Sequence, residues 1–259
     1  MMKPGSKADP HFDIDDYLNP WIPPNQLHRL PTPISRFLGY RSSPRPDVGG
    51  PLAACWSFLG AFCGIATASA FFKYSGIFSD VHAPFIIASF GASAILEYSV
   101  IGSPLGQPRN CVLGHFLSAL TGICVAKLFR YSDKFDEIRW LAGALSVGVA
   151  SAVMSLTNTS HPPGGATALL AAVDPVVEGM GWYLLPYVLL ATVFLISVAL
   201  LFNNIQRQFP IFWWTPKETG SKLWSPCRQS RDLEEQKATA ISGKELPGTE
   251  PSSSTNSLS

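Results

Sequence analysis

The feature that most constrains this chain is a set of four long apolar stretches, at residues 52–72, 110–129, 138–156 and 181–202. Each has about 20 residues, and a helix of that length, rising 1.5 Å per residue, crosses the roughly 30 Å hydrocarbon core of a bilayer. Only 14% of the 259 residues are charged, against about 25% in typical soluble proteins. The stretches therefore predict an all-α, multi-pass membrane helix bundle with the lipid bilayer as a partner.

Two further apolar segments lie between these stretches, at residues 83–101, which is long enough to span, and at residues 162–173. The second would be only about 18 Å long as a helix, which is too short to cross alone. Each segment starts near a proline and carries a related tetrapeptide, Gly-Ala-Ser-Ala from Gly91 and Gly-Ala-Thr-Ala from Gly165. Two plans fit this order: a 3+3 inverted repeat in which the short segments cross, and a four-span bundle in which they are re-entrant.

The two ends of the chain differ from its apolar middle. Residues 1–50 are rich in proline, which predicts a largely disordered arm, while 51–204 form the transmembrane domain and 205–259 an amphipathic and then disordered tail. Aromatic residues such as Phe209 and Trp213 are expected at the membrane surface. Basic residues outside the first and last spans favour cytosolic termini. The many small residues of 138–156 predict a central position for that span.

Several classes of protein receive no support from the sequence. The net charge is +1 and no dense Lys/Arg block occurs, so nucleic acid is not an expected partner. The five cysteines form no Cys-x-x-Cys pair, and we expect neither a metal nor another cofactor. The chain has no His-Glu-x-x-His and no Gly-x-Ser-x-Gly motif, so we do not expect an enzyme.

The most informative motif is the stretch at residues 158–168, which reads Asn-Thr-Ser-His-Pro-Pro-Gly-Gly-Ala-Thr-Ala. A second motif at 102–110 reads Gly-Ser-Pro-Leu-Gly-Gln-Pro-Arg-Asn. Over residues 51–202 the chain resembles the HPP family of integral membrane proteins, named for the His-Pro-Pro triplet. That resemblance implies a bundle of four spanning helices, a transport role, and nitrite as a substrate suggested for some plastid members.

The motif also suggests how an anion could be bound. A helix beginning at Pro162 and capped by Ser160 or Asn158 would direct its partial positive charge at a ligand. Arg109 would add a full charge, with Glu97 as its partner, and His161 could donate a hydrogen bond or carry a proton. The predicted substrate-binding residues are Arg109, Asn110, Ser160, His161, Gly164, Gly165 and Thr167, and the predicted structural positions are Pro162, Pro163, Pro104, Pro108 and Gly91.

Structural explanations fit the same residues. The prolines and glycines of the motif also suit a tight turn with close helix packing, His161 a hydrogen-bonded structural role, and Arg109 a contact with lipid phosphate. His115, inside a span, is expected to bridge helices. The leading hypothesis is a transporter or channel for a small inorganic anion. The alternative is a membrane-anchored scaffold or assembly factor without transport activity, and a homo-oligomer is compatible with both.

Overall fold

The computed structural model describes residues 12–43 and 48–223, and all regular structure in these ranges is helical. The predicted disorder of residues 1–11, 44–47 and 224–259 lies outside the described part of the chain. The described ranges contain nine α-helices: α1 (Asp15–Leu18), α2 (Thr32–Phe37), α3 (Gly50–Ser75), α4 (Ser89–Tyr98), α5 (Pro108–Phe129), α6 (Phe135–Leu156), α7 (Pro162–Val173), α8 (Pro175–Gly179) and α9 (Leu184–Gln206).

Four helices are long and apolar enough to cross a membrane. They are α3, α5, α6 and α9, the last extended by the 3-10 turn Gly181–Tyr183. This confirms the four predicted spans and the prediction of an integral multi-pass membrane protein. Proline starts both α5 and α7, where its missing amide hydrogen costs no helical hydrogen bond. Gly76, with a φ of 67°, ends α3 in the left-handed conformation.

Small residues allow α3 to pack closely on α4. Gly60 and Gly64, one turn apart, face the ring of Tyr98, and a Cβ atom at either glycine would lie within 2.4 Å of that side chain. The Tyr98 hydroxyl then donates to the carbonyl of Leu195 in α9 at 2.8 Å. Helices α3, α4 and α9 thus form one packed group.

Helices α5, α6 and α7 form the second group, and α5 is its central member. Gly114 of α5 contacts His161 at the start of α7, and Gly122 contacts Ala168 further along, so the two helices run parallel. The prediction that α6 lies in the centre was wrong. Only 28% of the residues in the most apolar stretch of α6 are buried, against 50% in that of α5. The small residues of α6 lie on the one face that packs on α5 and α7, and the opposite face is exposed.

The two halves of the chain pack in a similar pattern. Helix α3 contacts α4 and α9, just as α6 contacts α7 and α5, so the third helix of each half packs in the group of the other half. Contacts between α5 and α9 and between α4 and α7 join the groups. The middle helices of the two halves, α4 and α7, have 10 and 12 residues. At 1.5 Å per residue they are about 15 and 18 Å long. The inverted repeat, and whether the short segments cross or re-enter, stay predictions.

The arm and the tail lie together at the end of the bundle where α5 begins and α9 ends, which we call the arm end. Arg41 of the arm donates to the Asn204 side chain at 2.9 Å, and the Gly220 amide donates to the Asn19 carbonyl at 2.9 Å. The described residues 12–43 therefore differ from the largely disordered arm that the sequence predicts. Proline lowers the conformational entropy lost on ordering, so a few tertiary hydrogen bonds suffice.

The first part of the tail also differs from the expectation. Phe209 is fully buried rather than placed at a membrane surface, and the Trp213 indole donates to the Leu38 carbonyl at 3.0 Å. The Trp213 side chain thus attaches the tail to the arm, whereas Phe209 belongs to the main apolar core of the bundle. The cytosolic location of the termini stays a prediction.

Candidate functional site

A buried polar cluster lies where α4, α5 and α7 meet. We call it the central chain, and it consists of Ser89, Ser93, His115, His161 and Thr167, each at most 2% exposed. The Ser93 hydroxyl lies 2.7 Å from Nε2 of His115 and 3.0 Å from Nε2 of His161. The Thr167 hydroxyl lies 2.8 Å from Nδ1 of His115 and 2.9 Å from Oγ of Ser89. The contacts form one continuous path.

Sequence spacing explains why these side chains converge. Ser89 and Ser93 are four residues apart and therefore share one face of α4. Ser93 and Thr167 hold equivalent places in the two related tetrapeptides, and they contact opposite nitrogens of the His115 ring. His115 bridges α4 and α7, as the sequence predicts for a histidine inside a span.

The contacts of the central chain determine the tautomers of its histidines. Nδ1 of His161 lies 2.8 Å from the carbonyl of Leu105, which can only accept, so Nδ1 carries a proton and Nε2 of the neutral ring accepts from Ser93. Ser93 has one hydroxyl proton, so Nε2 of His115 must donate to Ser93. Nδ1 of His115 then accepts from Thr167.

In the contact between Thr167 and Ser89 the Thr167 hydroxyl is the donor, so its single proton serves either Nδ1 of His115 or Oγ of Ser89. When that proton serves His115, the hydrogen bonds of the neutral central chain all point the same way, from Thr167 towards Leu105.

A second, charged cluster lies at the arm end, and we call it the mouth cluster: Arg109, Asp15, Asp13, Asn158 and Lys217. The guanidinium of Arg109 binds the carboxylate of Asp15 through two hydrogen bonds, Nη1 to Oδ2 at 2.9 Å and Nη2 to Oδ1 at 2.6 Å. Both side chains are buried, at 3% and 7% exposure. Such a bidentate pair is among the strongest polar contacts in proteins.

Arg109 has further contacts around that pair. Its Nη2 donates to the Thr157 carbonyl at 3.0 Å, and its guanidinium lies 4.1 Å from the ring centre of Trp214 in the tail. The prediction of Glu97 as its partner was wrong, because the folded arm supplies Asp15 instead. The enclosed guanidinium is also not placed to meet a lipid phosphate.

Asp13 completes the mouth cluster on its outer side. Its carboxylate accepts from Nζ of Lys217 at 2.6 Å and from the Asn158 amide at 2.5 Å. The hydrogen bond from Lys217 lowers the pKa of Asp13, and the same contact raises the pKa of Lys217. These contacts tie the arm both to the tail and to the loop before α7.

The structure changes the expected role of several motif residues. His161, without a side-chain cap, precedes α7, so the prediction of a Ser160 or Asn158 cap was wrong. Asn158 instead adopts a φ of 52° and turns its amide to Asp13. Asn110 donates to the Ser160 carbonyl at 3.0 Å, which ties α5 to this loop.

The motif glycines do not behave alike. A Cβ atom at Gly164 would lie 2.8 Å from the Gly114 carbonyl oxygen and 2.8 Å from the Ser118 hydroxyl, so Gly164 serves close packing of α7 on α5. At Gly165 and at Gly91 no atom lies within 4 Å of that position. The structure thus favours the packing explanation at Gly164, while the binding roles of the other motif residues stay predictions.

The motif prolines begin helical segments. Pro162 and Pro163 open α7, Pro108 opens α5, and Pro104 opens the 3-10 turn Pro104–Gly106. That turn presents the Leu105 carbonyl to His161. The prolines therefore position one end of the central chain.

Glu97 lies one turn from Ser93 on α4 and is fully buried. Within the described residues neither of its carboxyl oxygens has a hydrogen-bond partner. The nearest polar side chain on α5 is the thiol of Cys111. An ionised carboxylate in such surroundings is very unfavourable, so the group is expected to be a neutral acid.

The opposite end of α5 has its own charged residues. A cavity of about 250 Å³ there is lined by Lys127, Arg130 and Glu178, among others. Arg130 binds Glu178 through Nη2 at 2.6 Å, and this contact raises the pKa of Arg130. In the described part of the chain, no three His, Cys, Asp or Glu side chains are grouped to hold a metal ion.

Some site residues were not found from the sequence. Asp15 stands in an ordinary acidic segment, and nothing local marks it as the partner of Arg109. Gln107 donates to the carbonyls of Ile101 and Ser103 and accepts from the Ile211 amide, so it fastens the loop before α5 to the tail. Ser93 could have been found, because it matches Thr167 in the related tetrapeptide.

Fold and site together define a multi-pass α-helical membrane protein with a polar chain inside the bundle. The family model described as "HPP, transmembrane region" matches residues 46–210. That match covers more than half of the chain, which therefore belongs to the HPP transmembrane family.

Two relatives from Dictyostelium discoideum are described only as transmembrane proteins. One is 33% identical over 184 residues, which is 70% of this chain and 63% of the relative. The other is 36% identical over 162 residues, 61% of this chain and 50% of the relative. The chain thus covers between half and two thirds of the length of these relatives. No solved structure matches the chain.

Proposed function

We propose that this protein moves a small inorganic anion such as nitrite across the membrane, as a transporter or a channel. The observation that carries the proposal is the bidentate binding of a carboxylate by Arg109. Nitrite and nitrate are planar and present two oxygens in a similar arrangement, so the same guanidinium fork suits them. Asp15 belongs to the arm and acts as a tethered anion at this position.

The placement of Arg109 supports a role in anion entry. It stands in the first turn of α5, and the partial positive charge of a helix N-terminus adds to its attraction for an anion. Lys127 and Arg130 lie at the other end of the same helix, beside the 250 Å³ cavity. Helix α5 thus carries basic side chains at both ends, with His115 of the central chain between them.

Flux measurements in liposomes test the proposal. Purified protein is reconstituted, and uptake of nitrite, nitrate and chloride is followed for wild type, Arg109→Gln and Asp15→Asn. We expect Arg109→Gln to weaken the apparent affinity roughly 10- to 100-fold, because a charge-assisted hydrogen bond contributes about 1.5–3 kcal/mol. Asp15→Asn should strengthen it, since the tethered competitor is removed.

Asp13→Asn is the matched control, because Asp13 lies on the same arm but does not contact Arg109. It should leave the apparent affinity unchanged. Gel filtration of each variant checks that it remains folded. The proposal fails if wild type gives no flux above empty liposomes, or if Arg109→Gln and Asp15→Asn change affinity in the same direction.

The alternative function is a membrane-anchored scaffold, and the ordered arm is the observation that favours it. Arm and tail form a folded surface at one end of the bundle on which Phe12, Tyr17 and Trp21 are each more than half exposed. Aromatic side chains of this kind are enriched in protein interfaces. A scaffold would show no anion flux, and Trp21→Ala would remove a stoichiometric co-purifying partner while leaving the bundle folded.

A further inference from the structure

We propose that the anion is transported together with a proton, and that the central chain of Ser89, Thr167, His115, Ser93 and His161 binds this proton. The inference rests on the proposed anion transport and adds the coupling ion to it. It starts from the hydrogen-bond path described above. All members of the path are buried, and the polar atoms of successive members lie 2.7–3.0 Å apart.

The spanning helices carry no permanent positive charge in the middle of the bundle. Helices α4, α7 and α9 contain no lysine or arginine, and those of α3 and α5 stand in the first or last turns. Arg139 of α6 lies near its first turn, at the end away from the arm. An anion passing the centre would thus meet no permanent positive charge, which is very unfavourable in a medium of low dielectric. Only an imidazole can supply that charge there.

The central chain can accept one extra proton without losing a hydrogen bond. When a proton from hydronium reaches the Thr167 hydroxyl, Thr167 passes its own proton to Nδ1 of His115, and the Nε2 proton of His115 moves to Ser93. Ser93 gives its proton to Nε2 of His161, which becomes an imidazolium.

After these steps one proton has been added and each O–H or N–H bond broken has been replaced by one formed. The contacts from Thr167 to His161 are kept with their direction reversed, and Thr167 now donates to Ser89. The positive charge rests on His161, still hydrogen-bonded through Nδ1 to the Leu105 carbonyl. Release runs the same steps backwards to Thr167 of α7. Neutral hydroxyls and imidazoles on a continuous path are required for this transfer.

The surroundings contain few competing groups. The ring of Phe90 lies 4.6 Å from that of His115, centre to centre, and shields it with apolar surface. Helix α7 has no titratable side chain, and those of α6 are Asp136, Glu137 and Arg139, in or beside its first turn. On helices α3, α4, α5 and α9, the other titratable groups that are not exposed are Arg109 and Cys111 of α5, Glu97 and Tyr98 of α4, Cys63 of α3 and Tyr187 of α9.

The test measures anion and proton uptake in the same liposomes, with a pH-sensitive dye inside and the membrane potential clamped. Nitrate and chloride are used beside nitrite, because nitrous acid crosses lipid unaided. For wild type we expect anion entry to acidify the lumen with about one proton per anion. In Ser93→Ala and Thr167→Val the proton-to-anion ratio should fall at least fivefold.

Matched controls come from the same bundle. Ser146 and Thr192 are equally buried, but their hydroxyls bond only to carbonyls of their own helices, so Ser146→Ala and Thr192→Val should keep the wild-type ratio. Thr167→Ser retains a hydroxyl and should also keep it. Glu97→Gln should behave like wild type, since the amide resembles the neutral acid.

The outcomes separate the two proposals. Absence of flux for all three anions refutes the proposed function and this inference with it. Flux without proton movement in wild type refutes proton coupling alone. Coupling that persists in both Ser93→Ala and Thr167→Val, or that is lost in Glu97→Gln but not in those variants, shows that the central chain does not bind the proton.

Discussion

The buried polar groups of the central chain and of the mouth cluster are stabilised in two different ways. In the interior, α4, α5 and α7 contribute hydroxyls and imidazoles that satisfy one another without any formal charge. At the arm end, buried Arg109 and Asp15 are both ionisable and form a bidentate pair, with charged Asp13 and Lys217 further out.

The difference follows from the cost of charge at different depths. A permanent charge in the middle of a bilayer is expensive, whereas at the bundle end water and headgroups surround the outer members of a charged cluster. This protein thus keeps fixed charges at its mouths and places groups that can change charge in its centre.

The largest effect is expected at the mouth cluster. Arg109→Ala leaves the Asp15 carboxylate buried without its partner, and such a change typically costs about 3–5 kcal/mol of the free energy of unfolding. The measurement is denaturation in detergent micelles. The double variant Arg109→Ala/Asp15→Ala should recover a large part of the loss, and equal losses in the single and double variants would mean that pairing is not the reason.

A somewhat smaller effect is expected where α5 meets α7, beside the central chain. A Cβ atom at Gly114 would lie 2.4 Å from Cβ of His161, so Gly114→Ala should cost about 2–3 kcal/mol by forcing the helices apart. Gly165→Ala is the control, since its position has open space. Similar unfolding temperatures for the two variants would contradict the close α5–α7 contact.

Loss of one hydroxyl from the central chain should lower the free energy of unfolding by less than either change above. Thr167→Val keeps the shape but leaves Nδ1 of His115 without its donor, which we expect to cost about 1–2 kcal/mol. Thr192→Val removes a hydroxyl that bonds only within α9 and should be nearly neutral. Equal losses, measured by unfolding in detergent, would show that the His115 contact contributes nothing specific.

The smallest effect on stability is expected from the outer contact between Asp13 and Lys217. Because the pKa of Asp13 is lowered, its contribution to stability is present above the unfolded value of about 3.9 and is lost as the pH falls through the folded value. The pKa of Lys217 is raised, so its contribution is lost only as the pH rises beyond about 10.4.

The difference in unfolding temperature between wild type and Asp13→Asn should therefore be constant from about pH 5 to 9 and shrink as the pH falls below about 3.9. Asp16→Asn is the control, because Asp16 is exposed and lies 4.0 Å from Lys217, farther than Asp13 at 2.6 Å. A difference that does not shrink on acidification below about pH 3.9 would exclude the ionised Asp13 as its source.

Hydropathy, span length and proline positions are local properties of the chain, so the membrane class, the four spans and the HPP resemblance could be predicted from the sequence. The position of His115 inside a span also predicted that it bridges helices. The pairing of Arg109 with Asp15, 94 residues away in the sequence, became visible only in the folded protein. The same is true of Ser93, which joins His115 to His161. Those partners depend on how the arm folds over α5 and how α4 and α7 meet, and such long-range packing leaves no local pattern in the sequence.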